Sequence, residues 1–337
     1  MDLNIIWFIL VAVLLTGYAA LDGFDLGVGI ISLFTKKPED RRILMNSIGP
    51  VWDGNEVWLL TGGGAIFAAF PHVYATVFSG FYLALMLLLL FMILRAVSME
   101  FRSKVESADW QLIWDRAFGI SSLVIALLLG VALGNIAQGL PVDLDKNIRI
   151  NLFQLLTPYP LVIGLLTVVL FTLHGASFAL NKTGDELQSN LKTLAQKTYW
   201  IFLILYGLAT ILTFVIVPQL ITNFNSFPVW YIFPLIGLAL ILLYPNQIKK
   251  NNYKMAFTYS FLTIVMMMAT FAIGLFPNMV PAHDPANSLT IYNASSSQMT
   301  LTVMLIIALI GMPAVIGYTI WVNKVFRGKV TIDDTSY

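Results

Sequence analysis

The sequence has no cysteine and only three histidines in 337 residues, and Asp, Glu, Lys and Arg together make up just 11% of it. Without cysteine there is no disulfide framework, no thiolate nucleophile, no iron–sulfur ligand set and no haem attachment of the C-x-x-C-H type. The histidines, at 72, 174 and 283, do not share a helix at haem-binding spacing. His174 therefore reads as a satisfied polar residue, and the other two as solvated loop positions. There is no H-E-x-x-H, no nucleophile elbow and no phosphate loop. A net charge of +1, with no basic run longer than a pair, removes the electrostatic case for nucleic acid. Alone, the chain is poorly equipped for catalysis, and no residue of it is expected to be catalytic or to hold a metal or cofactor.

What is present is apolar surface. At 58% hydrophobic and 13% aromatic content the chain reads as a polytopic membrane protein. The N-terminus lacks the basic segment of a cleavable signal peptide, so its apolar run reads as a first span. Stretches long enough for a hydrocarbon core of about 30 Å fall at 4–33, 54–70, 74–96, 117–138, 159–180, 198–217, 229–245, 254–276 and 300–322. Nine spans put the two termini on opposite sides. Of the 19 basic residues, all but Lys146 and Arg149 fall on one side of this alternation. By the positive-inside rule the N-terminus is outside and the C-terminus cytoplasmic. Residues 1–337 form a single integral-membrane domain in this reading. The expected fold is all-α: two four-helix bundles, spans one to four and five to eight, plus one peripheral helix.

The few ionisable groups inside the apolar runs are the functional candidates, because a carboxylate in lipid costs about 2.5–3.5 kcal/mol on insertion scales. In span one, LDGFDLGVG sets Asp22 and Asp25 three apart on one helical face, and Gly23 and Gly27 form a small-xxx-small pair for close helix approach. In the stretch from Asn46 to Phe70, NSIGPVWDGNEVWLLTGGGAIFAAF, Pro50 can open a helix. Asp53 and Glu56 then share a face near its start, with Asn55 and Trp58 beside them. All four carboxylates fall near the cytoplasmic edge. Two readings stand on spacing alone: a cation or proton inlet, or boundary charges paired with Arg41, Arg42 or cytoplasmic lysines. Arg95 and Arg102, at the end of span three, read as interfacial snorkelling charges. Asn135 and Gln138 read as caps closing span four. Most tryptophans lie near span ends as an interfacial belt; Trp58 lies a turn inside span two.

DGFDLGVG at 22–29, NSIGPVWDGNEVW at 46–58 and GGGAIFAAFPHVYATVFSGFY at 62–82 closely resemble subunit II of the cytochrome bd quinol oxidases. FRSK at 101–104, GVALGNIAQGLP at 130–141 and SLTIYNASSSQMTL at 288–301 extend the resemblance in the same order, nearly end to end. It implies a nine-span protein in the bacterial cytoplasmic membrane, paired with a homologous subunit I that holds two b-type haems and one d-type haem. Quinol is the substrate and dioxygen is reduced to water, with protons drawn from the cytoplasm. Subunit II, with no haem of its own, stabilises that partner and supplies routes for small species. Membrane lipids, quinone and a small single-span subunit are further partners the resemblance admits.

The same resemblance carries a proposed proton path onto Asp22 or Asp25 and onto Asp53, and an oxygen channel onto Trp58. Glu56 and His174 stand where some relatives have glutamine, and Pro218 to Phe227 is short where the enterobacterial type has a long insertion. The rival class is a proton-coupled secondary transporter, which also uses intramembrane acids and glycine-rich spans; here the acids lie near one edge and no internal repeat is evident.

Overall fold

The computed structural model describes residues 2–330, so the extreme C-terminus lies outside the described residues. Twelve α-helices follow one another: α1 (Leu3–Ser32), α2 (Pro38–Ile48), α3 (Trp52–Ala69), α4 (Pro71–Gly80), α5 (Tyr82–Arg102), α6 (Ala108–Gln138), α7 (Pro158–Lys182), α8 (Asp185–Ile216), α9 (Thr222–Ser226), α10 (Ile232–Lys249), α11 (Tyr253–Leu275) and α12 (Gln298–Val325). Helix is the form in which an apolar chain satisfies its backbone without water. Among the described residues eight helices are long and apolar enough to cross a membrane, and the bent pair α3 and α4 makes a ninth crossing if taken as one.

That pair corrects the expected third span. It begins at Tyr82 rather than at 74, because the chain turns by 120° between α3 and α4. Pro71 excludes Phe70 from helical geometry, and Phe70 sits at φ −132°, ψ 63°. Residues 71–80, His72 among them, therefore form a short helix of their own, neither a loop nor the start of a span. Helix α3 opens at Trp52, two residues after Pro50. The expected inner loops are also largely helical: α2 occupies 38–48, with Pro38 at its start and Glu39 and Asp40 in its first turn, and α6 and α8 begin well before their apolar stretches.

Helix α1 is the hub, packing against α3, α6, α7, α11 and α12. Its approach to α7 requires glycine on both sides: a Cβ on Gly27 would lie 1.9 Å from the Phe171 carbonyl oxygen, and one on Gly175 would lie 2.5 Å from the Gly27 carbonyl carbon. The expected small-residue contact at Gly23 and Gly27 is thus made with α7. Helix α12 is the opposite case, buried only at Leu301 and Val322.

On the face that carries Asp2, the connections knit together. Strands Asn278–Val280 and Leu289–Thr290 pair antiparallel, Leu140 bridges to Ala282, and the Trp7 indole donates to the Leu301 carbonyl at 2.9 Å. The opposite face carries α2 and the ends of α5 and α7.

Candidate functional site

Helix α1 rises about 1.5 Å per residue, so Asp22, twenty residues beyond the Asp2 cap, lies about 30 Å along it, at the far edge of a hydrocarbon core. Asp22 and Asp25 are both completely buried. A buried carboxylate needs a partner, and α5 supplies one: Arg95, also completely buried, takes both oxygens of Asp22, Nη1 donating to Oδ2 at 2.8 Å and Nη2 to Oδ1. The same guanidinium reaches toward Glu56 of α3, with Nη1 3.6 Å from Oε1, an ion pair too long for a hydrogen bond. Asn55, buried on α3, donates to Asp25 Oδ2 at 2.7 Å. Three helices thus gather three carboxylates around one arginine.

The structure therefore brings together Asp22, Asp25 and Glu56 and leaves Asp53 exposed at the start of α3. The inward face of α3 runs through Asn55, Trp58 and Gly62. Trp58 is buried and packs against α1, where a Cβ on Gly17 would stand 2.3 Å from its ring.

The cation that meets the acids among the described residues is Arg95, which sequence reasoning assigned to the interface, while Arg41 is spent on Asp115. A signal was available: Arg95 precedes Arg102 by seven residues, about 10 Å of helix, so it lies inside the apolar run that Arg102 and Lys104 close. Arg102 is not a snorkelling charge either. It is buried and donates to Asp115 Oδ1 at 2.5 Å, while Arg41 donates to Asp115 Oδ2 at 2.8 Å, pinning α2 and α5 to α6.

The two clusters differ in what is left over. Seven buried side-chain polar atoms among the described residues have no hydrogen-bond partner, and five of them belong to the first cluster and its border: Tyr18 Oη, Asp25 Oδ1, Glu56 Oε1, Trp58 Nε1 and Arg95 Nε. Buried polar atoms are nearly always satisfied, by protein or by ordered water. Five orphans on α1, α3 and α5 form one polar cluster whose atoms have hydrogen-bonding capacity to spare.

His174 on α7 is buried and spends both ring nitrogens inside the fold. Nε2 lies 2.9 Å from the Ala20 carbonyl, which can only accept, and Nδ1 lies 2.7 Å from Ser260 Oγ. Its ring stacks on Phe257 at 4.8 Å. That is a satisfied core residue rather than a free axial ligand. Asn135 likewise bonds inward, donating to the Val131 and Leu155 carbonyls, and so ties α6 to the segment before α7.

The family model described as cytochrome bd terminal oxidase subunit II matches residues 3–326. Cytochrome bd-I ubiquinol oxidase subunit 2 of Escherichia coli (strain K12) is 36% identical, over 98% of this chain and 96% of the relative. Cytochrome bd ubiquinol oxidase subunit 2 of Bacillus subtilis (strain 168) is 38% identical, over 98% and 97%. In fold the chain is similar to a chain of the bd oxidase from Geobacillus thermodenitrificans, with a TM-score of 0.79 at 16% identity, covering 97% of this chain and 99% of that one.

Proposed function

Because the chain belongs to the cytochrome bd terminal oxidase subunit II family, and so is one subunit of a quinol oxidase complex paired with subunit I, we propose that it serves that complex as a scaffold and as its cytoplasmic proton route. The transporter reading has no support left. In this proposal the two b-type haems and the d-type haem all reside in subunit I, quinol is oxidised there, and this chain ligates none of them. The bonds that occupy both nitrogens of His174 favour that division.

The observation that carries the proton route is the orphaned polar cluster. Asp22 is held by Arg95 and serves as its fixed counter-charge. Asp25 Oδ1 and Glu56 Oε1 keep a free lone pair inside the bundle, and Tyr18 adds a hydroxyl one helical turn from Asp22. Water bridging these atoms would form a hydrogen-bonded chain from the edge of the membrane inward, with Asp53, exposed at the start of α3, as its outermost member. The arrangement suits proton delivery because each site can both accept and release a proton. The chain is oriented with its N-terminus outside and its C-terminus cytoplasmic, so this cluster opens to the cytoplasm. Helices α1, α3, α5 and α6 make one four-helix bundle and α7, α8, α10 and α11 the other, with α12 peripheral. The complex lies in the bacterial cytoplasmic membrane.

Replacing Asp25 by asparagine keeps the size and the bond from Asn55 but removes the titrating site. Asp25→Asn in the purified complex should lower quinol-driven oxygen consumption at unchanged haem content; unchanged turnover in a fully assembled variant defeats the route. Trp58, packed over Gly17, borders the proposed oxygen path. Trp58→Leu should raise the oxygen concentration needed for half-maximal rate without altering that for quinol, and identical oxygen kinetics would remove Trp58 from the path.

A further inference from the structure

On the face that carries Asp2, a cavity of about 350 Å³ opens between the end of α6, the start of α7 and the loop after α11. Gln138 is the last residue of α6 and Thr157 the cap of α7, so the cavity sits where two membrane-crossing helices end, at the depth of lipid headgroups. Its walls include Gln138, Arg149, Gln154, Thr157 and His283, and no carboxylate.

The side-chain hydrogen bonds in these walls leave mostly donors unspent, beside the Oδ1 of Asn135, whose NH₂ is spent on two carbonyls. Thr157 Oγ1 donates to Gln138 Oε1 at 3.1 Å, and the Asn151 backbone N–H donates to Gln154 Oε1 at 2.8 Å. Both glutamine carbonyls are thereby occupied, and both NH₂ groups have no acceptor among the described residues. The guanidinium of Arg149 and the ring of His283, both exposed at the mouth of the cavity, likewise have no partner among them. Only two basic residues lie on this face, Lys146 and Arg149, and Lys146 is spent on the Asn293 carbonyl at 3.2 Å. A cavity rich in free donors, without an acidic group and with one unpaired guanidinium, is complementary to a compact oxyanion.

We propose that this cavity binds a phosphate group, held by Arg149 with the side-chain amides of Gln138 and Gln154. At this depth its source is the phosphodiester of a lipid headgroup or free inorganic phosphate, and the chemistry of recognition is the same. The site is separate from the buried acids, which lie at the other end of α1.

The test uses the whole complex, purified in mild detergent and depleted of lipid, with bound mass read by native mass spectrometry. It is titrated with short-chain phosphatidylglycerol, with diacylglycerol of the same chain length and with inorganic phosphate. Phosphatidylglycerol should bind and diacylglycerol should not, and Arg149→Gln should weaken phosphatidylglycerol about tenfold to a hundredfold, whereas Lys146→Gln should not. Gln154→Glu, which sets a carboxylate in the wall, should weaken it similarly. Inorganic phosphate that binds alone, with the same dependence on Arg149, identifies the free anion as the source; phosphatidylglycerol that binds where inorganic phosphate does not identifies the lipid. Equal uptake of phosphatidylglycerol and diacylglycerol by the unaltered complex, without phosphate binding, overturns the proposal without any variant. Insensitivity of all phosphate-bearing ligands to both Arg149→Gln and Gln154→Glu overturns it too.

Discussion

Two arginine–carboxylate clusters stand at the same end of the molecule and behave as opposites. At Asp115, two guanidiniums share one carboxylate and occupy both of its oxygens. At Asp22, one guanidinium stands among three carboxylates; the pair itself is complete, yet Asp25 Oδ1, Glu56 Oε1 and Arg95 Nε remain without partners. The first has an excess of positive charge, the second of negative. The difference teaches that burial of an ion pair says little about its purpose. On the proposed function, what distinguishes a clamp from a conduit is whether the groups around it are exhausted. Arg41, Arg102 and Asp115 tie together α2, α5 and α6 and have little capacity left; the Asp22 cluster keeps capacity to exchange hydrogen bonds.

The sharpest break in that contrast comes from removing the shared cation. Arg95→Met leaves Asp22 buried and uncompensated, which costs about 3–5 kcal/mol; thermal unfolding and yield of the complex should both fall, and an unaltered melting temperature would mean the pair does not stabilise the bundle. Asp115→Asn should cost a similar amount, about 3–5 kcal/mol, because it leaves the buried Arg102 and the largely buried Arg41 without their counter-charge. Its diagnostic is that turnover per haem in the assembled fraction stays at the parent value, and a selective loss of turnover would erase the distinction between clamp and conduit. Glu56→Gln should move stability least, by under about 1 kcal/mol, since its contact with Arg95 is 3.6 Å long and its side chain is 21% exposed. Slower oxygen consumption in that variant places Glu56 on the route; full activity confines the route to Asp25.

Much of the architecture was legible because membrane-length apolar runs can be counted along one dimension. The all-α fold and the order of the crossings follow from that count. The bend at Pro71 was harder to see, since the residues on both sides of it stay apolar and length alone sets the boundary at 74. The site was half legible. Asp22 and Asp25 stand out as charges inside an oily run, but the turn of α3 that buries Asn55 and exposes Asp53 was hidden. That helix is apolar around most of its circumference, so no polar face in the sequence shows which way it points.

Arg95 marks the limit more clearly still. Its partner Asp22 is 73 residues away, and nothing local to either residue names the other; only the packing of α5 on α6, which itself packs against α1, brings the Arg95 side chain to Asp22. The sequence by itself determined that the chain lives in a membrane, that it crosses repeatedly as helices and that acids stand near one edge, because the cost of polar groups in lipid acts on each segment alone. Only the tertiary structure decided which acids meet, which cation answers them and which polar atoms are left over. Those outcomes depend on the rotation and close approach of helices distant in sequence, set by contacts such as Gly27 against Gly175, and a residue-by-residue transfer cost does not contain them.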